Sequence, residues 1–192
     1  QTVNGDQDPR LDATIFYNGN PASLYGNDFA VYYANNTADL NDLFCRKYQN
    51  DETNVDEFDW RSGINERLMR YADVLLMYAE CLNENGKTAD AYQYIQMVRN
   101  RVQLQDLATI KPNMTQAEMR EQIAHERFLE LALEGHRFDD IRRWGWLEDA
   151  TKLAELKNRD DEFNTYVTGR EYFPIPLSEI DNNPGTVQNE GY

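Results

Sequence analysis

Thr115–Trp144 reads TQAEMREQIAHERFLELALEGHRFDDIRRW, and its pattern decides the fold. It opens with a capping box. The Thr115 hydroxyl accepts from the Glu118 backbone N–H, while the Glu118 side chain reaches back to the N–H of Thr115. Met114 and Met119 stand where a hydrophobic staple places its two apolar residues. A helix starting here presents Met119, Ile123, Ala124, Phe128, Leu131 and Ala132 on one face. Glu126, Glu130 and Glu134 make a second stripe at i, i+4, i+8. Gly135 supplies the left-handed residue that stops the helix. A cation- and aromatic-rich cluster follows (His136, Arg137, Phe138, Arg142, Arg143, Trp144), and reads as a short helix doubling back.

Upstream, the helical period begins at Arg67. Leu68, Tyr71, Leu75, Tyr78 and Leu82 recur at three and four, and Asn85-Gly86 ends that helix. Thr88 caps the next, whose buried stripe is Ala91, Ile95, Val98 and Val102. A turn this short makes the pair antiparallel. The spacing Leu75, Tyr78, Ala79, Leu82, then Ala91 and Ile95, fits one tetratricopeptide unit, with Ala79 and Ala91 as the small residues at the helix contact. Thr115 begins a second, degenerate unit, and Ala150–Lys157 is its continuation.

The ends read differently. Residues 1–63 are loop-rich and hold ten of the 23 aromatics. Ala13–Tyr17, Phe29–Tyr33 and Leu43–Tyr48 look β-like, and Asn18-Gly19 signals a tight turn. Residues 64–158 are helical. Residues 159–192 are irregular, with Tyr172-Phe173-Pro174-Ile175-Pro176 expected to lie extended over the helices and fill a groove.

The chain has 192 residues and a formal charge of −15, with 34 acids against 19 lysines and arginines. That surface repels nucleic acid and anionic lipid, so neither is an expected partner. Cys45 and Cys81 are too few for a disulfide framework. Cys81 reads as a small buried thiol, with a bridge to Cys45 as the alternative. No window approaches a spanning helix, and Gln1–Gly5 has no signal-peptide character.

The segment ERFLELALEGHRFDDIRRWG resembles the signature near the C-terminus of the SusD/RagB family. DPRLD at Asp8–Asp12, RLMRYADVLLMYAE at Arg67–Glu80 and YFPIPLSEIDNNP at Tyr172–Pro184, with the closing QNEGY, agree in order. The resemblance implies a surface-exposed, glycan-binding outer-membrane lipoprotein of Bacteroidetes. It also implies that this chain is the C-terminal part of such a protein, with the lipid anchor and part of the helical scaffold outside it. The expected partners are an oligosaccharide or other nutrient and a SusC-like TonB-dependent transporter. The expected location is the extracellular face of the outer membrane.

Glu126, Glu130 and Glu134 with Asp139 and Asp140 could be acid/base pairs for glycoside hydrolysis. The competing reading pairs them with Arg127, Arg137, Arg142 and Arg143, which leaves no isolated carboxyl. His125 and His136 lack zinc-ligand spacing, and His136 is explained by the dipole at a helix C-terminus. Asp6, Asp8 and Asp12 fail the EF-hand pattern at Pro9. No nucleotide or hydrolase motif occurs, so neither an enzyme nor a cofactor or metal is expected. For sugar stacking the candidates are Trp60, Tyr32, Tyr33, Tyr25 and Tyr17, with Trp60 first because its loop is polar and acidic. Trp144 reads as core; Trp146 is left open.

The expectation is a mainly α protein: tetratricopeptide-like helix pairs, with loop-rich, partly extended or hairpin segments at both ends, in the SusD-like manner. Glycan capture is the expected function. A protein-interaction module and an acidic-site glycosidase are the alternatives.

Overall fold

The computed structural model describes residues 2–3, 6–33, 40–50 and 62–192. The chain divides into two compact units, Gln1–His136 and Arg137–Tyr192.

The first unit begins with β1 (Thr2–Val3) paired antiparallel to β2 (Asp6–Gln7). Then α1 (Pro9–Thr14) starts with proline in its first turn and the Asp8 carboxylate accepting from the Arg10 N–H, two signals that favour a helix start. β3 (Ile15–Phe16) follows, then α2 (Phe29–Tyr32) and β4 (Phe44–Cys45). β3 pairs with β4, Ile15 opposite Cys45 and Phe16 opposite Phe44. The Asn18-Gly19 turn therefore does not close a hairpin; the partner strand comes from much later in the chain.

Phe29–Tyr33, expected as a strand, is instead the short helix α2. Aromatic packing overrides local propensity there. Phe29 is buried, its ring centroid 5.0 Å from Phe16 and 4.8 Å from Tyr33. Phe16, Leu24 and Phe29 form a small core of their own, with Tyr33, Leu40 and Phe44 packed around it.

The main core lies between α3 (Tyr71–Glu84), α4 (Thr88–Asn100), α5 (Leu107–Ile110) and α6 (Gln116–Glu130). Leu75, Leu76, Ala79, Ala91, Ile95, Val98, Leu107, Met119 and Ile123 form one cluster. Ala79 and Ala91 are fully buried, as close helix approach requires. Full burial of a side chain such as Leu76 or Ile95 contributes about 1.5–3 kcal/mol.

The face that α3 buries is rotated from the expected one. Leu75, Leu76, Ala79 and Asn83 point inward, whereas Tyr71 and Tyr78 stay exposed and Leu68 precedes the helix. An Asn can sit in this core because every polar group on it is used. Asn83 Nδ2 donates to the Gln116 carbonyl, its Oδ1 accepts from Thr88 Oγ1, and its carbonyl accepts from Gln116 Nε2. Thr88 thus anchors the α3–α4 turn as the first residue of α4, with Lys87 at the cap position. Cys81 is exposed rather than buried, and neither it nor Cys45 is bridged.

The capping box of α6 is fully formed, and Met114 packs on the cluster beside Met119. The helix stops at Glu130, earlier than Gly135. Leu131 caps it, and the chain then turns through two left-handed residues, Leu133 (φ 64°) and Gly135 (φ 82°). His136 consequently opens the next helix, α7 (His136–Arg143), instead of closing α6.

The second unit contains the body of α7, then α8 (Ala150–Arg159), a 3-10 turn at Asp161–Thr165 and α9 (Leu177–Asn182). Ile141, Leu147 and Leu156 form its core, with Trp146, Leu153, Phe163 and Tyr166 packed on it. Trp146, not Trp144, is the indole on that core. The tail folds back on itself through Gln188, whose amide bonds both backbone groups of Ile175. At Gly169 a Cβ would lie 2.2 Å from the Glu190 carbonyl oxygen, so only glycine admits this return. The Tyr172–Pro176 stretch does not fill a groove. Phe173 is 90% exposed, and Tyr172 and Leu177 are exposed beside it.

Candidate functional site

The five stacking candidates have different fates. Trp60 lies outside the described residues, as does the side chain of Tyr32. Tyr33 stacks on Phe44 at 4.6 Å and 13°, a core role. Tyr17 is half-buried; its hydroxyl donates to Asp12 Oδ1 (2.6 Å) and accepts from Gln7 Nε2 (2.8 Å). That bond to Asp12 pushes the phenol pKa up. Tyr25 alone of the three is displayed. It sits with Gly26 at the tip of a tight turn closed by the Leu24–Asn27 bridge, at φ 50°, an uncommon conformation for a bulky residue.

The acids of α6 are occupied, by partners other than the nearby arginines. Glu126 accepts from Arg10 Nη1 at 2.6 Å and Arg99 Nη1 at 3.1 Å. Glu130 takes Arg10, Arg70 and Arg101 at 3.3, 3.0 and 2.8 Å. Glu134 holds Arg70 at 2.7 Å and also Lys47. Arg127 pairs across to Asp73 (2.6 Å), while Asp139 and Asp140 pair with Arg142 and Arg143. Two carboxylates on one face of α6 and a third in the turn beyond it thus gather cations from the N-terminal segment, the lead-in to α3, and α4 with the turn after it. Arg10 is the centre of this seam, because Asp8 grips its other edge at 2.7 Å. Burial would weaken the charge on Arg10, but the bonds to Asp8 and Glu126 outweigh it and raise its pKa.

Beside this seam opens a cavity of about 450 Å³, lined by Tyr48, Ser62, Ile64, Glu66, Arg67, Leu68, Leu133, Glu134 and Gly135. Its size is that of a small-molecule site. Tyr48 offers an aromatic face, and Ile64, Leu68 and Leu133 apolar edges. Ser62, Arg67 and the two carboxylates offer hydrogen bonds. Leu133 is one of four non-glycine residues held at positive φ among the described residues, so the turn that ends α6 places strained backbone on the cavity wall. Burial, with Glu134 nearby, pushes the Tyr48 phenol up, so it stays a neutral donor at physiological pH.

Burial alone would raise the Glu134 pKa, yet the bonds from Arg70 and Lys47 prevail and lower it. A carboxylate held ionised in this way accepts hydrogen bonds but donates no proton at neutral pH, so Glu134 does not supply the general acid of a glycosidase. Asp8 and Asp12 are occupied by Arg10 and by Tyr17 and Gln7. Among the described residues no acid, His or Cys group could hold a metal, and no helix is long and apolar enough to cross a membrane.

The model of the SusD family matches residues 2–192. The chain is 38% identical over 162 residues to SusD-like protein P25 of Formosa agariphila, covering 80% of this chain and 30% of that protein. It is 30% identical over 125 residues to the starch-binding protein SusD of Bacteroides thetaiotaomicron, covering 65% of this chain and 21% of that one. A solved SusD superfamily protein from Bacteroides vulgatus superposes with a TM-score of 0.83 at 33% identity, covering 98% of this chain and 40% of that structure. The chain therefore spans less than a third of the curated relatives and under half of the solved one.

Proposed function

The chain belongs to the SusD family, and we propose that it serves in glycan capture at the cell surface, binding an oligosaccharide without cleaving it. The match to a starch-binding relative carries this reading. The cavity at Tyr48 supports it: one aromatic face for the C–H side of a sugar ring, with ionised and hydroxyl groups around it for the hydroxyls. We further propose delivery to a SusC-type TonB-dependent transporter, from a lipid-anchored protein on the outer face of the outer membrane. In this reading Tyr48, missed among the ten N-terminal aromatics, stacks on the sugar, and Tyr25 is a secondary contact at the rim of its own loop.

Calorimetric titration with a panel of neutral and charged oligosaccharides tests it. Binding should appear for at least one, and Tyr48→Ala should weaken it about tenfold, the equivalent of one lost stacking contact. Undiminished binding by that variant moves the site elsewhere. Silence across the panel favours the second reading, a protein-interaction module. One observation favours that alternative: Tyr71, Val74 and Tyr78, at helical spacing on α3, are exposed, Tyr78 lies edge-on to Tyr94 of α4, and Met97 of α4 is exposed as well.

A further inference from the structure

In a chain of formal charge −15, cations are scarce, yet six of them gather on one side of α6. Five (Arg10, Lys47, Arg70, Arg99, Arg101) meet four carboxylates, Asp8, Glu126, Glu130 and Glu134. The sixth, Arg67, is exposed and makes no ion pair or hydrogen bond among the described residues. A second hollow of about 210 Å³ is walled by Lys47, Arg67, Arg70 and Arg101, with Arg10 in its lining and Glu130 the one acid there among the described residues. It is too small for a sugar chain and large enough for a carboxylate or sulfate group.

Arg67 lines this hollow and the 450 Å³ cavity alike. Among the described residues, a sugar ring on Tyr48 would therefore lie next to six cations that face the four carboxylates of the seam and Glu66. Among the described residues two acids line the larger cavity: Glu134 is already neutralised by Arg70 and Lys47, and Glu66 is exposed. Guanidinium groups suit planar anions because their N–H pairs match two oxygens at once.

We propose that the preferred ligand is an acidic oligosaccharide, its anionic substituent seated on Arg67 at the entrance to the cationic hollow. This rests on the glycan-capture reading and names its substrate class. Uronate and sulfated sugars share the chemistry, and the experiment separates them.

The chain would be titrated with three oligosaccharides of equal length: neutral, uronate-containing and sulfated. At least one acidic sugar should bind about tenfold more tightly than the neutral one, as expected for one direct charged contact, and that advantage should shrink as salt rises. Preference for only one identifies the anion. Arg67→Gln should abolish the advantage of the acidic sugar over the neutral one while leaving the thermal midpoint unchanged, since Arg67 is exposed and makes no ion pair or hydrogen bond among the described residues. Arg101→Gln should reduce the advantage less, Arg101 being 57% exposed and tied to Glu130. Equal affinity for all three sugars, or an acidic preference that survives Arg67→Gln, overturns the inference and leaves glycan capture standing. No binding of any of the three overturns both.

Discussion

The two ends of α6 are buried by opposite chemistries. Toward its start, Met119 and Ile123 sit in the apolar cluster with Leu76 and Ile95, where only shape and area matter. Toward its end, Glu126 and Glu130 are as deeply buried, but against guanidinium groups. The apolar end joins helices that are neighbours in sequence. The ionic end ties in segments from far away: Arg10 lies 116 residues from Glu126 and Arg70 lies 60 from Glu130. The comparison assigns the two ends different jobs. Hydrophobic packing makes the helix pair and its capping helix, while the charged seam fixes the N-terminal segment and the walls of the cavity onto them.

Removing a charge from the seam should have the largest effect. Glu126→Ala leaves the buried guanidinium groups of Arg10 and Arg99 without that carboxylate, and loss of one partner from a buried pair costs about 3–5 kcal/mol. Urea denaturation would measure it. A loss below roughly 1 kcal/mol would show the seam to be surface-like. Leu76→Ala probes the apolar end and should cost about 2–4 kcal/mol by the same measurement. The two losses should add if the ends act independently, and a double variant tests that additivity. Thr115→Ala removes one arm of the capping box and should cost about 1 kcal/mol without touching either end.

The smallest effect is confined to acid. Asp8 and Glu134 both have lowered pKa values, because bonds from Arg10, and from Arg70 and Lys47, outweigh the opposing effect of burial. Their stabilisation is complete above the ordinary values of 3.8 and 4.5 and fades as pH falls through the depressed folded-state values. Thermal midpoints should therefore drop on acidification below that range. Glu134→Gln should flatten part of that drop, whereas Leu76→Ala should leave its shape unchanged.

What could be read from the residues divides along the same line. The capping box, the α3–α4 turn and the Ala79–Ala91 contact were legible because their determinants lie within a few residues of each other. That the α6 acids would be paired was legible from the density of arginines; their partners were not, because no local pattern marks Arg10 or Arg101 as facing Glu130. The early end of α6 was hidden by Gly135, a good stop signal that serves the following turn instead. Among the N-terminal aromatics, nothing local distinguishes Tyr48, on a cavity wall, from Tyr33, inside a small core. The cavity needs Ile64–Leu68 and Leu133–Gly135 brought beside Tyr48, and that meeting is tertiary.

The most direct test of the account is a crystal structure of the chain with the tightest-binding oligosaccharide. The account predicts a sugar ring against Tyr48, bordered by Leu133 and with a substituent reaching Arg67. A sugar bound at the Tyr25 turn, or on the exposed face of α3, with the Tyr48 cavity empty, would contradict it.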